Sequence, residues 1–294
     1  MKKNENNPAK VFADSLGTKK ANKVTLRVID YLCFEYNQTN HMTLDWSALN
    51  YAEILKLRRK FIDKDLKTSS INSYISKLKS VSRESWRLNI IDTETYMRIK
   101  DIDGVKGHSD ITGRALSPTE LNGAVNYSGN DIKDLRDSAV IAVGYGCGLR
   151  SFEIAQIELK DISGNKIIIQ GKGRVIRNVY LPSFSLRALK RWLQIRGSKQ
   201  GAIFSSLTKN HRLLDKGISV RTVGDIIDKR CKNTGIERFT PHDLRRSFAT
   251  NLLASGVDVF IVQKLMRHSN INTTRIYDMR GEDAKIAAVE MLPF

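Results

Sequence analysis

Residues 166–181 have the sequence KIIIQGKGRVIRNVYL, and this stretch decides the fold class. Residues 166–170 and 175–181 are rich in isoleucine and valine, and two glycines lie in the four residues between Gln170 and Val175. Two β-branched runs around a short glycine-containing turn predict a β-hairpin. The rest of the chain has mostly helical spacing of its apolar residues. The sequence therefore predicts a mainly α fold with one small β-sheet or hairpin.

Helices are predicted on both sides of this hairpin. One extends from about Ile132 through Val143 and breaks at the glycines of GYGCG, and a short helix follows from Arg150. After Pro182, the apolar residues Leu186, Leu189 and Trp192 return at helical spacing. From Pro241 onward the pattern is helical again, with interruptions near Gly256, Ser269 and Gly281.

The segment up to about Ile102 is also predicted to be helical. Its clearest helix begins near Thr68 or Ser69, and an apolar stripe recurs every three or four residues at Ile71, Tyr74, Ile75, Leu78 and Val81. An earlier helix is indicated by Val24, Ile29, Leu32 and Phe34. The other face of the clearest helix either grips phosphate oxygens or is an ordinary solvated face. It contains Asn72, Ser73, Lys77, Arg83 and Arg87.

A linker separates this helical segment from the rest. Residues 101–117, DIDGVKGHSDITGRALS, contain three glycines and little apolar periodicity. The sequence Ser117-Pro118-Thr119-Glu120 then has the capping box and early proline typical of a helix start. We therefore predict a helical domain over residues 1–112, a linker to about residue 116, and a second domain over residues 117–294.

The charge of the chain indicates a polyanionic partner. Lysine and arginine number 49 against 31 acidic residues, which gives a formal net charge of +18. Nucleic acid is the usual partner of so basic a protein, although a ribosomal protein or a merely basic surface is an alternative.

Three widely spaced cysteines argue against a disulfide framework or a zinc site. The polar start and the lack of a long apolar run predict a cytoplasmic protein without a membrane contact.

Six residues match the groups that cleave a DNA phosphodiester without a metal. Such a reaction needs arginines on the phosphate oxygens, a nucleophile for phosphorus, and a proton donor for the departing sugar oxygen. Each candidate alone has an ordinary explanation, such as a surface ion pair, a turn lysine or a packed aromatic ring. The candidates are Arg150, Lys172, His242, Arg245, His268 and Tyr277.

Four segments, GLRSFEI, QGKGRVIRNVYLP, HDLRRSFATNLLASGVD and KLMRHSNINTTRIYD, follow one another in this order. Together they resemble the catalytic domain of tyrosine recombinases, the phage integrase family, over residues 117–279. The preceding segment is similar, more loosely, to the helical core-binding domain of that family. The specificity of the resemblance lies in the agreement of separated motifs in type, order and position.

The resemblance implies a role for each candidate residue. Arg150 and Arg245 would clamp the scissile phosphate, Lys172 would be the general acid, and His242 would take part in proton transfer. His268 would bind the phosphate, and Tyr277 would attack it to form a 3′-phosphotyrosyl bond. Strand exchange between two duplexes would pass through a Holliday junction and would need no metal, ATP or other cofactor. Additional DNA contacts are expected from Lys77, Arg83, Arg87, Arg174 and Arg267.

Two features near the end of the chain concern the backbone and the assembly. Family members commonly have Leu-Gly-His where this chain has Met266-Arg267-His268, so Arg267 either avoids positive φ or is strained by it, and it adds a cation near the phosphate.

Residues 282–292 contain Ile286, Val289 and Leu292 at a spacing of three. In this family, such a tail resembles a helix that docks into a neighbouring subunit, which would join four protomers on two DNA sites. The alternative is that it folds back on its own domain.

Two other functions remain open at the level of sequence. A type IB topoisomerase shares the tyrosine chemistry but relaxes supercoils without joining two sites. A DNA-binding regulator would keep the fold without catalysis. The expected partners are double-stranded DNA, further copies of the chain, and accessory proteins that bend DNA or set direction. On DNA, the protein would be associated with the nucleoid.

Overall fold

A computed structural model of the chain describes residues 6–107, 113–127, 129, 131–170, 176–281, 286, 289–290 and 292–293. The chain divides into two compact units, Met1–Thr112 and Gly113–Phe294. Both are mainly helical, as the sequence predicts, and the strands lie in the second unit. In the described part of the chain, no helix combines the length and the apolar character that crossing a membrane requires.

The first unit is built from helices around one apolar core. Its described residues form α1 (Pro8–Asp14), α2 (Lys19–Asn37), α3 (Tyr51–Asp63), α4 (Thr68–Arg87) and α5 (Thr93–Lys100). Helix α4 buries the predicted stripe, with Ile71, Ile75, Leu78 and Val81 no more than 4% exposed. Helix α2 confirms the earlier helix that the sequence indicated. Ile29 and Leu32 are buried, but Val24 and Phe34 are 52% and 59% exposed because they lie on its outer face.

The second unit contains the longer helices and a larger core. It begins with α6 (Pro118–Val125), whose start has the predicted capping box between Ser117 and Glu120. Its central helix, α7 (Ile132–Gly146), buries an unbroken apolar run from Ala139 to Val143 and packs against α9 (Ser183–Arg196). Two more helices, α10 (Val220–Thr234) and α11 (Pro241–Ala254), complete this core. The sequence reasoning did not identify α10.

Helix α7 ends within GYGCG, as the sequence predicted, although its last residue is Gly146 and not Val143. Gly144 and Gly146 are helical, because here glycine permits close packing. A Cβ atom on Gly146 would lie 2.1 Å from the hydroxyl oxygen of Ser185, and one on Gly144 would lie 2.9 Å from Ile154. The chain leaves the helix at Gly148, which has φ +55°.

The predicted hairpin is confirmed as part of a three-stranded antiparallel sheet. The order is β1 (Ile162–Ser163), β2 (Lys166–Gln170) and β3 (Ile176–Tyr180), with Ile168 opposite Asn178. A second sheet, which the sequence did not predict, pairs β4 (Ser205–Leu207) with β5 (Leu213–Gly217). Strand β5 has the sequence LLDKG and is largely exposed, so it lacks the apolar alternation that identifies a strand.

Three short helices complete the described part of the second unit. Helix α8 (Ser151–Gln156) follows the Gly148 turn, and α12 (Val259–Met266) and α13 (Asn272–Arg275) follow α11. Helix α8 packs against α7 and α10, α12 against α11, and α13 against α12. Tyr277 lies two residues beyond α13, whereas the sequence placed it within a helix. The three cysteines, Cys33, Cys147 and Cys231, are all buried and unbonded.

Candidate active site

The turn after α7 places Arg150 at the start of a helix. Gly148 needs to be glycine for two reasons: its φ is +55°, and a Cβ atom would lie 2.6 Å from the ring of Phe248. Two residues later, Arg150 is the N-cap residue of α8. Its backbone N–H donates to the Glu153 carboxylate at 2.8 Å, and its Nη1 donates to the other carboxylate oxygen at 3.1 Å. The Arg150 side chain is 40% exposed, so its guanidinium is held on one side and open to an anion on the other.

Arg245 lies on the first turns of α11. The helix begins with Thr240, whose hydroxyl and backbone N–H both donate to the Asp243 carboxylate. The Arg245 side chain is buried, and its two Nη groups donate to the carbonyl oxygens of Gly148 and Met266. Burial and then the positive charges of Arg150 and Arg267 lower the pKa of Arg245 to about 9, which leaves it charged at neutral pH. One carbonyl, that of Gly148, thus connects Arg245 to the turn that carries Arg150.

Arg267 adopts the left-handed conformation, one of the two alternatives that the sequence left open. It is the C-cap residue of α12, with φ 58° and ψ 40°. Its side chain is only 6% exposed and points into the protein, where Nη2 donates to Glu153 Oε2 at 2.9 Å and to the Gly148 carbonyl at 3.0 Å. The expected cation is therefore present beside Arg150 and Arg245, but its donors are turned inward.

Two histidines lie among these arginines. His268 follows Arg267, and its Nδ1 is 2.9 Å from the hydroxyl of the fully buried Thr274. Partial burial, followed by the charges of Arg245, Arg150 and Arg267, lowers the pKa of His268 to about 4. His242 is more exposed, and desolvation and then Arg246 lower its pKa as well. Both imidazoles are consequently neutral at physiological pH.

Tyr277 lies in a small apolar cluster next to His268. Its side chain is 3% exposed and packs with Ala249, Leu253, Val262 and Met266. The centroids of the Tyr277 and His268 rings are 6.2 Å apart. The guanidinium carbon of Arg246 lies 5.7 Å from the centroid of the Tyr277 ring, a cation–π arrangement. Arg246, whose Nη1 donates to the Gly113 carbonyl at 3.1 Å, thus adds another cation next to the tyrosine.

The structure brings five of the six predicted residues into one region of the second unit. Arg150, His242, Arg245, His268 and Tyr277 are linked by the contacts and electrostatic interactions above. Lys172 and Arg174 fall in residues 171–175, outside the described residues, between the ends of β2 and β3. No sequence pattern indicated Thr274, whose hydroxyl contacts His268 because α13 packs against α12.

The predicted DNA contacts of the first unit lie on α4. Arg83 and Arg87 are 45% and 56% exposed, and both contact the carboxylate of Glu84. Lys77 is partly exposed and donates to the hydroxyl of Ser73 at 2.9 Å. Asn72, which the sequence placed on the same polar face, instead makes a pair of hydrogen bonds with the backbone of Val105. Its role is thus to fix the chain after α5.

Comparison with known proteins gives consistent matches. Residues 114–281 match the model of the phage integrase family. The tyrosine recombinase XerA of Pyrococcus horikoshii is 29% identical over 269 residues, which cover 90% of this chain and 86% of the relative. The tyrosine recombinase XerC of Shewanella amazonensis is 29% identical over 238 residues, or 79% of this chain and 77% of the relative.

Solved structures share the fold at low sequence identity. The integrase of the Tn1549 transposon, in complex with a circular intermediate DNA, superposes with a TM-score of 0.72 at 17% identity, covering 98% of this chain and 99% of the other. A lambda integrase dimer bound to a COC′ core site gives a TM-score of 0.66 at 16% identity, with coverage of 94% and 79%.

Proposed function

Since this chain belongs to the phage integrase family, whose members are DNA strand-exchange enzymes, we propose that it breaks and rejoins DNA with Tyr277 as the nucleophile. The chain is a site-specific recombinase of the tyrosine type. The observation that supports the assignment of residues is the grouping of Arg150, Arg245 and His268 beside Tyr277. Two guanidiniums and a neutral imidazole next to a phenol are suited to a phosphate that is attacked by that phenol.

In the proposed mechanism, Arg150 and Arg245 bind the non-bridging oxygens of the scissile phosphate. Charge that builds on these oxygens in the transition state is stabilised by fixed, forked donors. His268 Nδ1 lies 2.9 Å from the Thr274 hydroxyl, and we assign the hydroxyl as the donor. In that tautomer the ring proton is on Nε2, where it can bond to a phosphate oxygen. His242 exchanges a proton with the phenol of Tyr277. Attack by Tyr277 forms the 3′-phosphotyrosyl bond and releases a 5′-hydroxyl, and the 5′-hydroxyl of the partner strand reverses the step.

The test of this proposal is covalent capture. The purified protein is mixed with nicked DNA that carries its recombination site, denatured with detergent, and separated by size. We expect a protein–DNA band that disappears on protease treatment, because a phosphotyrosyl bond survives denaturation. Specific binding without any such band would contradict the proposed chemistry and favour the DNA-binding regulator.

Lys172 is proposed as the general acid for the leaving 5′ oxygen. We expect Lys172→Ala to slow cleavage by about 10²–10⁴-fold, the usual contribution of general acid catalysis. A substrate with sulfur in place of the bridging 5′ oxygen should restore much of the rate, because a thiolate leaves without a proton. The control is Lys166→Ala in the same hairpin, which should cleave both substrates like the wild type. Equal defects of Lys172→Ala on both substrates would remove the assignment.

The lowered pKa of His268 predicts how the folding stability of the DNA-free protein depends on pH. Its imidazole, with its pKa lowered to about 4, should remain neutral while an ordinary histidine protonates near 6.5. Because the unfolded chain then binds a proton that the folded chain does not, stability should fall as the pH decreases from 6.5 towards 4. NMR titration of the ring protons and thermal unfolding at each pH measure both effects. His268→Gln should lose this part of the pH dependence, and a ring that titrates near 6.5 would contradict the prediction.

DNA binding by the first unit is proposed to involve α4. Lys77, Arg83 and Arg87 form a basic face on this helix, and Glu84 holds the two arginines without covering them. Residues 1–112 would then be the core-binding domain, and residues 117–294 the catalytic domain. The partner is double-stranded DNA, which these cations contact through its phosphates.

The C-terminal tail is proposed to dock on a second copy of the chain. Its apolar residues Ile286, Val289 and Leu292 are 58%, 63% and 62% exposed, so they are not packed on their own unit. The second unit also has an open, mostly apolar groove of about 660 Å³ next to α11 and α12. Its lining includes Tyr145, Tyr180, Phe184, Phe248, Leu252 and Leu265. A tail passed head-to-tail into this groove around a closed ring would join four protomers on two DNA sites.

Removing the apolar side chains of the tail tests this assembly. We expect the triple variant Ile286→Asp, Val289→Asp, Leu292→Asp to bind one DNA half-site with the wild-type affinity. The cooperativity factor for binding a second copy at the other half-site should fall by about tenfold or more. Charged groups cannot be buried in an apolar groove without a large desolvation cost. The control is Val220→Asp, which changes a residue that is 51% exposed and outside the groove. Unchanged cooperativity in gel-shift titrations of the triple variant would contradict tail exchange.

A further inference from the structure

The residue before His268 combines an unfavourable backbone with an extensive set of contacts. Arg267 has φ 58°, a region that favours glycine, because a Cβ atom there crowds the backbone. Its side chain is nevertheless ordered against the protein and 6% exposed. A strained, buried arginine persists only when its side-chain contacts compensate for the backbone conformation.

These contacts join three segments of the active site. Nη2 of Arg267 donates to the Gly148 carbonyl at 3.0 Å and to Glu153 Oε2 at 2.9 Å. Nη1 donates to the carbonyl of Leu265 at 2.8 Å, at the end of its own helix, and approaches the carbonyl of Cys147 at 3.4 Å. A single guanidinium thus connects the end of α12, the turn after α7, and the acidic residue of α8.

The charges explain why this connection affects Arg150. Glu153 is the carboxylate partner of Arg150, and its side chain is 1% exposed. Oε2 accepts from both Arg267 Nη2 and the backbone N–H of Arg150, and Arg150 Nη1 bonds only to Oε1, with the rest of its guanidinium outward. Without Arg267, Oε2 keeps only the backbone N–H of Arg150, and its second acceptor position opens to the Arg150 guanidinium. A bidentate pair would then turn the Arg150 donors inward. The buried carboxylate would also cancel one of the remaining two positive charges.

We propose that Arg267 is a positioning residue for strand cleavage, which fixes Glu153 and the Gly148 carbonyl so that Arg150 and Arg245 both face the scissile phosphate. The inference rests on the proposed function of this site. It differs from a direct DNA contact, because each Nη group of Arg267 donates to two protein oxygens. Each Nη group of Arg245 donates to one protein carbonyl among the described residues, which leaves its second hydrogen for a phosphate oxygen.

The principal test is Arg267→Gly, which removes the side chain and suits the positive φ. We expect the rate of covalent-complex formation at saturating nicked DNA to fall by about 10- to 100-fold, the effect of a small misplacement of a catalytic group. The DNA dissociation constant and its dependence on salt should match the wild type. If Arg267 contacted a phosphate directly, Arg267→Gly would instead weaken DNA binding. The slope of log affinity against log salt concentration would then also decrease by about one. That result, or an unchanged cleavage rate, would overturn the proposal.

The matched control is Gln38→Gly, at the end of α2. Gln38 is likewise a helix C-cap in the left-handed conformation, with φ 50°, but it is exposed and lies in the first unit. Both variants relieve backbone strain, so both should remain folded in thermal unfolding. Only Arg267→Gly should lose cleavage. An equal loss in Gln38→Gly would attribute the effect to the backbone change and overturn the proposal.

A double-mutant cycle with Glu153 tests the route of the effect. If Arg267 acts through Glu153, then Glu153→Gln and Arg267→Gly should combine to much less than the product of their separate rate losses. Fully multiplicative losses would refute this coupling. A wild-type protein that formed no covalent complex would refute the proposed function itself, whereas an active wild type with an equally active Arg267→Gly would refute only the role of Arg267.

Discussion

Replacement of Tyr277 by phenylalanine is expected to abolish covalent attachment to DNA while binding remains within about twofold of the wild type. The substitution removes only the hydroxyl group. The ring, 3% exposed and packed with Met266 and its neighbours, should keep its position, so neither the fold nor the DNA-binding surface changes. The protease-sensitive band on nicked DNA should disappear completely, and gel-shift titration on the same DNA should give an unchanged dissociation constant.

Tyr127→Phe is the matched control for this loss. Tyr127 lies in the same unit, outside the proposed groove, and its ring centroid is 4.7 Å from the guanidinium carbon of Arg230. This variant should form the covalent complex at close to the wild-type rate. A covalent band that persists with Tyr277→Phe would place the nucleophile elsewhere in the chain.

Arg245→Ala is expected to reduce the cleavage rate by roughly 10²–10³-fold or more, as when a preorganised donor to a developing oxyanion is removed. Unlike Arg150, Arg245 also holds the site together, since it donates to the carbonyls of both Gly148 and Met266. The Gly148 carbonyl would keep its hydrogen bond from Arg267, whereas the Met266 carbonyl would lose that from Arg245, at a cost of about 1–3 kcal/mol. Single-turnover cleavage should therefore fall together with the temperature of unfolding.

Arg245→Lys separates the chemical effect from the structural one. Lysine keeps the charge but cannot reach two carbonyls and a phosphate with a single ammonium group. We expect it to restore part of the stability and little of the rate, and Arg150→Ala to lower the rate with a smaller loss of stability, since Arg150 is 40% exposed. If Arg245→Lys cleaved like the wild type, the forked geometry of Arg245 would have no role in cleavage.

The sequence predicted the helices with a regular apolar stripe and the hairpin, because these signals are local. The stripe of α4 and the capping box of Ser117 are examples. Sequence patterns predicted the secondary structure poorly where tertiary packing determines it. Glycines usually interrupt a helix, yet Gly144 and Gly146 are helical. Ile154 and Ser185 occupy the positions where a larger side chain at these residues would lie. Strand β5 is recognisable only from its pairing with β4.

The candidate site was predicted as a set of residues but not as an arrangement. Residue type and order identified Arg150, His242, Arg245, His268 and Tyr277. The sequence could not indicate that the Gly148 carbonyl accepts from both Arg245 and Arg267, since main-chain acceptors have no sequence signature. It also could not decide the direction of the Arg267 side chain, which depends on the buried carboxylate of Glu153.

The buried cysteines make the protein suitable for selective chemical labelling. Burial raises the pKa of both Cys33 and Cys147 to about 12, so only roughly one part in 10⁵ of either thiol is thiolate at neutral pH. Cys147, which adjoins the catalytic turn, is also enclosed next to the carbonyl of Tyr180. All three native cysteines are buried, so a maleimide dye should react with a cysteine introduced on the surface and leave them intact. Fluorescence measurements of strand exchange could then use the chain without replacing any of its own cysteines.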